Sequence, residues 1–268
     1  MYQGVGRLKP RQVIASALLP LVSLLLTSAC FWHLTRVHGR VRFVEMWHLI
    51  AASWVLNLLP LKPGLVGRVV YHSKVNQIKA TTSIRVLIEA SVCGIAGVAM
   101  MSALATLTRY SPVWLESIVV VAWLVMISLG LWGLFRPQKP ICRYAAATLL
   151  RALDSFTWML RYAVAFGVLN IDLSMTDAAL IAAGAQAAAY VPLIGNGLGI
   201  REWVVGALSR WLGEDSASLR VGLAADIFHR LMEFAILLPV GLVGVWWVTR
   251  RVRTWNQDQA AGGGESHG

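Results

Sequence analysis

The sequence predicts an all-α integral membrane protein with about 7–8 membrane helices and an internal repeat of two broken, re-entrant helical hairpins. Three observations favour this class: an apolar composition, uncharged runs of membrane length, and an interrupted apolar run in each half of the chain. Hydrophobic residues make up 57% of the 268 residues, and charged residues make up 14%. The mean hydropathy is +0.63.

Uncharged runs reach or approach the length of about 18 residues that a spanning helix needs. They cover residues 13–32, 46–61, 90–108, 117–135, 178–200 and 234–249. The predicted membrane helices are 13–33, 43–61, 86–107, 112–135, 147–169, 178–191 and 219–249, with a polar hairpin at 62–85 and an amphipathic piece at 202–212. The repeat elements are expected at about 43–107 and 176–249.

One polytopic membrane domain is expected to fill residues 1–253, followed by a disordered, Gly-rich tail at 254–268. No soluble catalytic domain fits beside these segments, so we expect the protein not to be an enzyme. The uncleaved first helix and the later spans favour a multi-pass protein of the inner (cytoplasmic) membrane.

The net charge of +11 comes from basic residues between the predicted spans. Such residues concentrate on the cytoplasmic side of a membrane, near anionic head-groups. Counting them along the chain places the N-terminus in the cytoplasm. Because no basic face is paired with a soluble fold, we expect no nucleic-acid partner.

The first break in an apolar run contains Asn57, Pro60 and Gly64, followed by Arg68. Proline ends a helix because it lacks an amide hydrogen and clashes with the preceding turn. At membrane depth, irregular backbone is tolerated only where it is buried in protein or lines a cavity. This break is therefore predicted to face such a cavity, although Arg68 could instead face the cytoplasmic surface.

The second break has the same design in the other half of the chain. Its members are Pro192, Gly195, Gly197, Gly199, Arg201 and Glu202. Glycines allow backbone angles that other residues avoid. A helix N-terminus beside an arginine can bind an anion, since free N–H groups and the helix dipole add to the guanidinium charge. The pattern predicts a phosphate site, and the alternative is a tight turn with a snorkelling arginine.

Charged residues inside predicted spans are the other candidates, because each costs about 2.5–3.5 kcal/mol on insertion scales. They are Glu89, Arg151, Asp154, Arg161, Asp226, Arg230 and Glu233. Asp226 and Arg230, and likewise Arg230 and Glu233, are spaced so that they can pair locally on one helix. The two interpretations are a polar path through the membrane and a set of internal ion pairs.

The histidines and cysteines show no metal-ligand spacing, so neither a metal site nor a cofactor is expected. Cys30, Cys93 and Cys142 lie in or beside apolar runs and are interpreted as small packing residues. No nucleotide-binding loop of the G-x-x-x-x-G-K-[ST] type occurs in the sequence. Energy for any transport would come from a gradient or from coupling to synthesis, unless transport is passive.

These motifs resemble the transmembrane region of lysylphosphatidylglycerol synthases and its stand-alone, flippase-like relatives. The resemblance covers nearly the whole chain, in the same order. It is carried by Asn57, Pro60, Gly64 and Arg68, by Glu89, by Pro192 and Gly197-Leu198-Gly199-Ile200-Arg201-Glu202, and by Arg230. Two departures are Ala90 after Glu89, where members often have arginine, and Gly195-Asn196-Gly197 in place of a double glycine. The soluble aminoacyl-transferring domain of the full synthases is not found in the sequence.

The resemblance implies two inward-dipping hairpins beside a central cavity, and translocation of a phospholipid or lipid-linked head-group between leaflets. Arg68 and Arg201 would hold the phosphate, and Glu89, Arg230 and Glu233 would line the polar path. Glu89 or Glu233 would then balance a cationic head-group. The expected partners are an anionic lipid, the membrane and, as open alternatives, a second copy of the chain or a separate lipid-modifying enzyme.

Two other functions stay open at this stage. The first is a non-catalytic membrane subunit that docks a lipid- or glycan-modifying enzyme. The second is a membrane-embedded lipid transferase, for which Glu202 is the candidate base.

Overall fold

The computed structural model describes residues 9–59, 61–110, 112–190, 197, 199–212 and 218–262. Within these ranges the chain forms nine α-helices and no β-strand, which confirms the all-α class. The helices are α1 (Pro10–Thr35), α2 (Phe43–Leu56), α3 (Pro63–Lys74), α4 (Ala80–Tyr110), α5 (Val113–Phe135), α6 (Pro140–Val168), α7 (Met175–Tyr190), α8 (Ile200–Leu212) and α9 (Leu219–Gly262).

In the described part of the chain, four helices are long and apolar enough to cross a membrane. They are Pro10–Thr35, Ala80–Tyr110, Trp114–Phe135 and Leu219–Gln257. The larger number of about 7–8 membrane helices stays a prediction. At 29 residues α6 has the length of a span, but Arg143, Arg151, Asp154 and Arg161 interrupt its apolar sequence.

Helix α6 lies at the centre of the bundle and packs against α1, α4, α5 and α7. Small residues let the backbones approach closely, as they do in many membrane bundles. A Cβ at Gly97 of α4 would come within 2.8 Å of the backbone nitrogen of Ala152 on α6. Helix α5 lies at the periphery, and the apolar residues of its span are largely exposed, as expected for a helix that contacts lipid.

Helix α2 ends at Leu56, earlier than the predicted boundary at residue 61. Leu61 and Lys62, which follow, both have positive φ angles, of 65° and 49°, so no right-handed helix continues through them. Pro63 then begins α3, in a position where its missing N–H is not needed. The segment 62–85 is therefore largely helical, since α3 fills its first part and α4 begins at Ala80.

Helices α7 and α8 form the second broken pair. Pro192 and Gly195 lie outside the described residues, as does Pro60 of the first break. Gly197 and Gly199 have φ angles of 71° and 88°, which glycine adopts without strain. The alanines of α7 are buried within the protein at positions 178, 179, 182, 183, 185 and 188.

Helix α9 continues to Gly262. The sequence predicted a disordered tail from residue 254, and this prediction is wrong for residues 254–262, which are helical. The segment after Arg253 contains Gln257, Gln259 and two alanines before the glycines begin. Glutamine and alanine favour helix, so this segment extends α9 beyond the last arginine at little free-energy cost.

Candidate functional site

A cavity of about 440 Å³ lies inside the bundle, where the two broken pairs meet. Asn57 at the end of α2 and Arg68 in α3 line it from the first break. Tyr190 at the end of α7 and Arg201 at the start of α8 line it from the second. The two breaks, which are far apart in sequence, thus face one cavity.

Three of the four span-length helices complete the wall. The lining residues from α1, α4 and α9 are Ser23, Leu24, Thr27, Phe31, Ala90, Ser91, Arg230, Glu233, Phe234 and Leu237. Helix α6 adds Arg151, Asp154 and Trp158. The cavity is therefore lined in part by helices that are expected to cross the membrane, it is partly open to the outside, and its wall mixes apolar with charged side chains.

Arg68 is buried, with 7% of its surface exposed, and it lines this cavity. Its guanidinium carbon lies 4.2 Å from the centre of the Phe31 ring, which is a cation–π contact. Within the ranges that the structure describes, no carboxylate pairs with Arg68, and its Nε has no hydrogen-bond partner. A buried cation without a counter-charge is costly, so it favours an anionic ligand.

Lys62, between α2 and α3, brings a second positive charge to the cavity. Its ammonium nitrogen donates a hydrogen bond of 3.2 Å to the carbonyl oxygen of Ala189 near the end of α7. No described carboxylate forms an ion pair with Lys62 either. Lys62 and Arg68 therefore leave an excess of positive charge on the first-break side.

Arg151 and Asp154, three positions apart on α6, form an ion pair at the cavity wall, with Nη1 and Oδ2 2.7 Å apart. Asp154 also accepts hydrogen bonds from the hydroxyls of Ser23 and Thr27 on α1. Arg151 Nη1 donates to Thr27 Oγ1 at 3.0 Å. Asp154 is thus fully engaged with protein partners.

Arg201 is held by its own protein partners. Its Nε donates to both carboxylate oxygens of Asp226 on α9, at 3.0 and 3.2 Å. Its Nη2 lies 3.2 Å from Nδ1 of His229. Only 2% of Arg201 is exposed. The predicted phosphate-binding role for Arg201 is therefore less favoured by the geometry than the same role for Arg68, since most of the Arg201 charge is already balanced.

Glu233 of α9 pairs with Arg161 of α6 at 3.3 Å and approaches Arg201 at 3.9 Å. Arg230 pairs with Glu202 of α8 at 3.1 Å and with Asp226 at 3.5 Å. The predicted local pair of Asp226 and Arg230 is present, whereas Glu233 reaches across to other helices. Three arginines and three carboxylates therefore form one charge-balanced network, and Arg201, Arg230 and Glu233 of this network line the cavity.

Glu89 lies away from the cavity lining. Its Oε1 accepts hydrogen bonds from Arg85 Nε at 2.9 Å and from the Tyr144 hydroxyl at 2.8 Å. Glu202 is likewise outside the lining, on the far side of Arg230. The structure thus brings Arg68, Arg201, Arg230 and Glu233 together at the cavity, and leaves Glu89 and Glu202 outside it.

Two glycines of the breaks are explained by close packing against neighbouring helices. Gly64 packs against α2, where a Cβ would collide with the carbonyl oxygen of Ser53. Gly197 lies against α7, and a Cβ there would come within 2.9 Å of the carbonyl oxygen of Ala188. Asn57 lines the cavity with a buried Oδ1 that has no hydrogen-bond partner among the described residues.

Several lining residues escaped the sequence interpretation. Ser23 and Thr27 are four residues apart on α1, and Gln186 and Tyr190 have the same spacing on α7. This spacing puts each pair on one helix face, so a polar stripe on an apolar helix was the available signal. Trp158 gave no such signal, because tryptophan is common in membrane helices near either interface.

No group of three His, Cys, Asp or Glu side chains in the described ranges is placed to hold a metal ion. An all-α fold, several helices apolar enough to cross a bilayer, and a charged cavity among them define a multi-pass membrane protein. Comparison of the chain with models of known families, with curated proteins and with solved structures finds no match.

Proposed function

We propose that the protein moves an anionic phospholipid or lipid-linked head-group from one leaflet to the other through this cavity. The observation that carries the proposal is Arg68, a buried cation at the cavity wall with no carboxylate partner in the described chain. A phosphate is the anion that a membrane supplies in abundance, and arginine binds it with paired hydrogen bonds.

The cavity walls suit a lipid substrate, because a head-group needs polar contacts while its acyl chains stay in hydrocarbon. Helices α1, α4 and α9 contribute to the lining and also have the length and hydropathy of spans. A head-group that enters between them would leave its chains among their exposed apolar residues. Hydroxyl and amide groups of the wall, such as Ser91 and Gln186, would replace some of its hydration.

The broken pairs are proposed to be re-entrant. Helices α2 and α7 have 14 and 16 residues, which at 1.5 Å per residue gives about 21 and 24 Å. Both lengths are shorter than a hydrocarbon core of about 30 Å. Their ends lie at the cavity, so each pair would enter the membrane and end inside it. We propose a cytoplasmic N-terminus in an inner membrane, as the charge distribution predicts.

Among the residues that the structure describes, none supports a transferase. Glu202, the candidate base, is paired with Arg230 and does not line the cavity. The docking subunit remains the competing function, and it makes the opposite prediction for the cavity. A docking subunit would keep its activity after cavity substitutions, whereas a translocator would lose it.

The test is lipid exchange in proteoliposomes that contain the purified full chain and a trace of phosphatidylglycerol labelled on its acyl chain. A membrane-impermeant quencher bleaches label in the outer leaflet, so further bleaching measures exchange from the inner leaflet. The wild-type protein is expected to accelerate exchange over protein-free vesicles. Arg68→Gln is expected to lose most of this acceleration.

Lys74→Gln is the matched control, because Lys74 is an exposed cation on the same helix. It is expected to exchange lipid like the wild type. If the wild-type protein accelerates exchange of no anionic lipid, or if Arg68→Gln matches Lys74→Gln, the proposed function is wrong. The docking subunit then becomes the leading function, and pull-down of a partner enzyme from membranes is the next measurement.

A further inference from the structure

We infer that the cavity selects head-groups that are negatively charged as a whole and carry no ammonium group, so that phosphatidylglycerol-like lipids are preferred over zwitterionic ones. This inference names the substrate class of the proposed translocator and therefore rests on that function. It comes from the charges, the ring contacts and the unpartnered polar atoms of the described cavity wall.

The first step is the charge of the lining. Its cations are Lys62, Arg68, Arg151, Arg201 and Arg230, and its carboxylates are Asp154 and Glu233. Each carboxylate is already paired with at least one arginine, at 2.7 Å for Asp154 and 3.3 Å for Glu233. The positive charge left without a carboxylate partner belongs to Lys62 and Arg68. No described carboxylate of the lining is therefore available to balance a cationic group on a ligand.

The second step concerns the aromatic rings, which are the other common binding partners of ammonium groups. The Trp158 ring already has the guanidinium carbons of Arg161 and Arg201 at 5.1 and 5.4 Å from its centre. The Phe31 ring has that of Arg68 at 4.2 Å. A choline or ethanolamine head-group would therefore meet positive charge at both of these rings, whereas the rings of Trp54, Tyr190 and Phe234, which also line the cavity, have no cation–π contact among the described residues.

The third step concerns the hydrogen-bonding groups of the cavity wall that can bind the rest of a head-group. Asn57 has a buried, unpartnered Oδ1, which can accept a hydrogen bond from a hydroxyl. Arg68 has an unpartnered Nε that donates. A phosphodiester with a neutral, hydroxylated group, such as glycerol, satisfies both atoms. The phosphate of a zwitterionic head-group also satisfies the donor, and an ethanolamine ammonium can donate to Asn57, but either zwitterionic head-group brings a positive charge to a lining whose described carboxylates are already paired.

The experiment measures binding separately from transport. The purified full chain in detergent is mixed with equal amounts of phosphatidylglycerol, phosphatidylethanolamine and phosphatidylcholine with identical acyl chains, and bound lipids are counted by native mass spectrometry. Phosphatidylglycerol is expected to bind at least about tenfold more tightly than either zwitterionic lipid, because the ammonium of a zwitterionic lipid enters a cavity with an excess of positive charge. Arg68→Gln should lose this preference, and Lys74→Gln should keep it.

Two further arms identify the ligand and guard against misfolding. Arg68→Lys retains the charge and should retain a preference for phosphatidylglycerol. Soluble glycerol 3-phosphate should displace the lipid far less well than a second lipid does. If it displaces the lipid equally well, the ligand is a free phosphate ester and the inference is wrong.

Equal binding of the three lipids, or an unchanged preference in Arg68→Gln, also overturns the inference. Exchange of all three lipids at one rate in proteoliposomes would leave the proposed function in place while removing the selection. A preference in binding that depends on Arg68, without any lipid exchange, would keep the inference and remove the translocator function.

Discussion

The ammonium nitrogen of Lys62 lies 3.2 Å from the carbonyl oxygen of Ala189, so the first break is hydrogen-bonded to the end of the helix that precedes the second. The last carbonyl groups of a helix carry partial negative charge, and a cation nearby is stabilising by about 0.3–1 kcal/mol. This contact connects the two halves of the predicted repeat across the cavity. It also explains how Lys62 is held at the wall without a carboxylate.

Lys62→Ala is therefore expected to weaken the connection between the two breaks. The thermal unfolding midpoint should fall by about 1–4 °C, given the magnitude for a cation at a helix end and the size of the chain. Thermal unfolding in detergent measures this directly. Lys79→Ala, at an exposed lysine between α3 and α4, should leave the midpoint unchanged. Equal midpoints for the two variants would contradict a stabilising role of the contact.

The packing of α3 on α2 depends on the missing side chain of Gly64. Gly64→Ala would press a methyl group onto the Ser53 carbonyl and should destabilise the protein by about 1–3 kcal/mol. Gly67→Ala, one turn later on the same helix, meets nothing within 4 Å. It should be neutral or stabilising by up to about 1 kcal/mol, because alanine favours helix more than glycine. Chemical or thermal unfolding of both variants in one detergent compares them, and a reversed order would count against the close approach of α2 and α3.

Asp226 has no exposed surface and contacts Arg201, Arg230 and the hydroxyl of Tyr162, which donates at 2.5 Å. Asp226→Asn removes one charge from this buried network and leaves arginine charge unbalanced. The expected loss is about 3–5 kcal/mol, which lowers the unfolding midpoint by roughly 6–20 °C.

A thiol-reactive dye can follow the unfolding of Asp226→Asn, because Cys30, Cys93 and Cys142 are all buried and free. Asp172→Asn is the control, since Asp172 is exposed before α7. A midpoint for Asp226→Asn within a degree or two of the control would show that the network does not stabilise the fold.

Asp154→Asn tests the role of the cavity's positive charge by increasing it, whereas Arg68→Gln decreases it. The substitution leaves Arg151 without its carboxylate and raises the positive excess of the lining by one charge. Binding of phosphatidylglycerol in native mass spectrometry should become tighter relative to phosphatidylcholine. Weaker relative binding of phosphatidylglycerol would mean that Asp154 itself helps to recognise the head-group. Asp172→Asn should leave the ratio unchanged.

Much of the helix pattern could be predicted from the sequence, because hydropathy and helix-breaking residues are local. The apolar run that ends at residue 135 gave the predicted helix 112–135, and α5 is Val113–Phe135. Arg136 and Pro137 follow the apolar run in the sequence, and α5 ends directly before them. Helix α3 was not predicted, since its segment is polar and mixed. Packing of Gly64 and Tyr71 against neighbouring helices stabilises it there.

The candidate site was predicted less completely, for a physical reason. That the breaks contain prolines, glycines and arginines is readable from the chain, and so is their tendency to face a cavity rather than lipid. The sequence does not show which charged side chains have a partner of opposite charge. Arg201 and Arg68 look alike in sequence, yet Arg201 is balanced by Asp226 and Arg68 has no described carboxylate. Glu233 pairs with Arg161, which lies 72 positions earlier on another helix.

The sequence by itself determined that the chain is all helical, that several helices are apolar enough to cross a membrane, and that two interrupted segments occur in its two halves. These properties follow from the composition of short stretches, because helix formation and membrane insertion depend on neighbouring residues. Only the tertiary structure decided that both breaks line one cavity and that Arg68 is the buried cation without a described carboxylate. Charge balance depends on distances of a few ångströms between helices remote in sequence, and only their packing sets those distances.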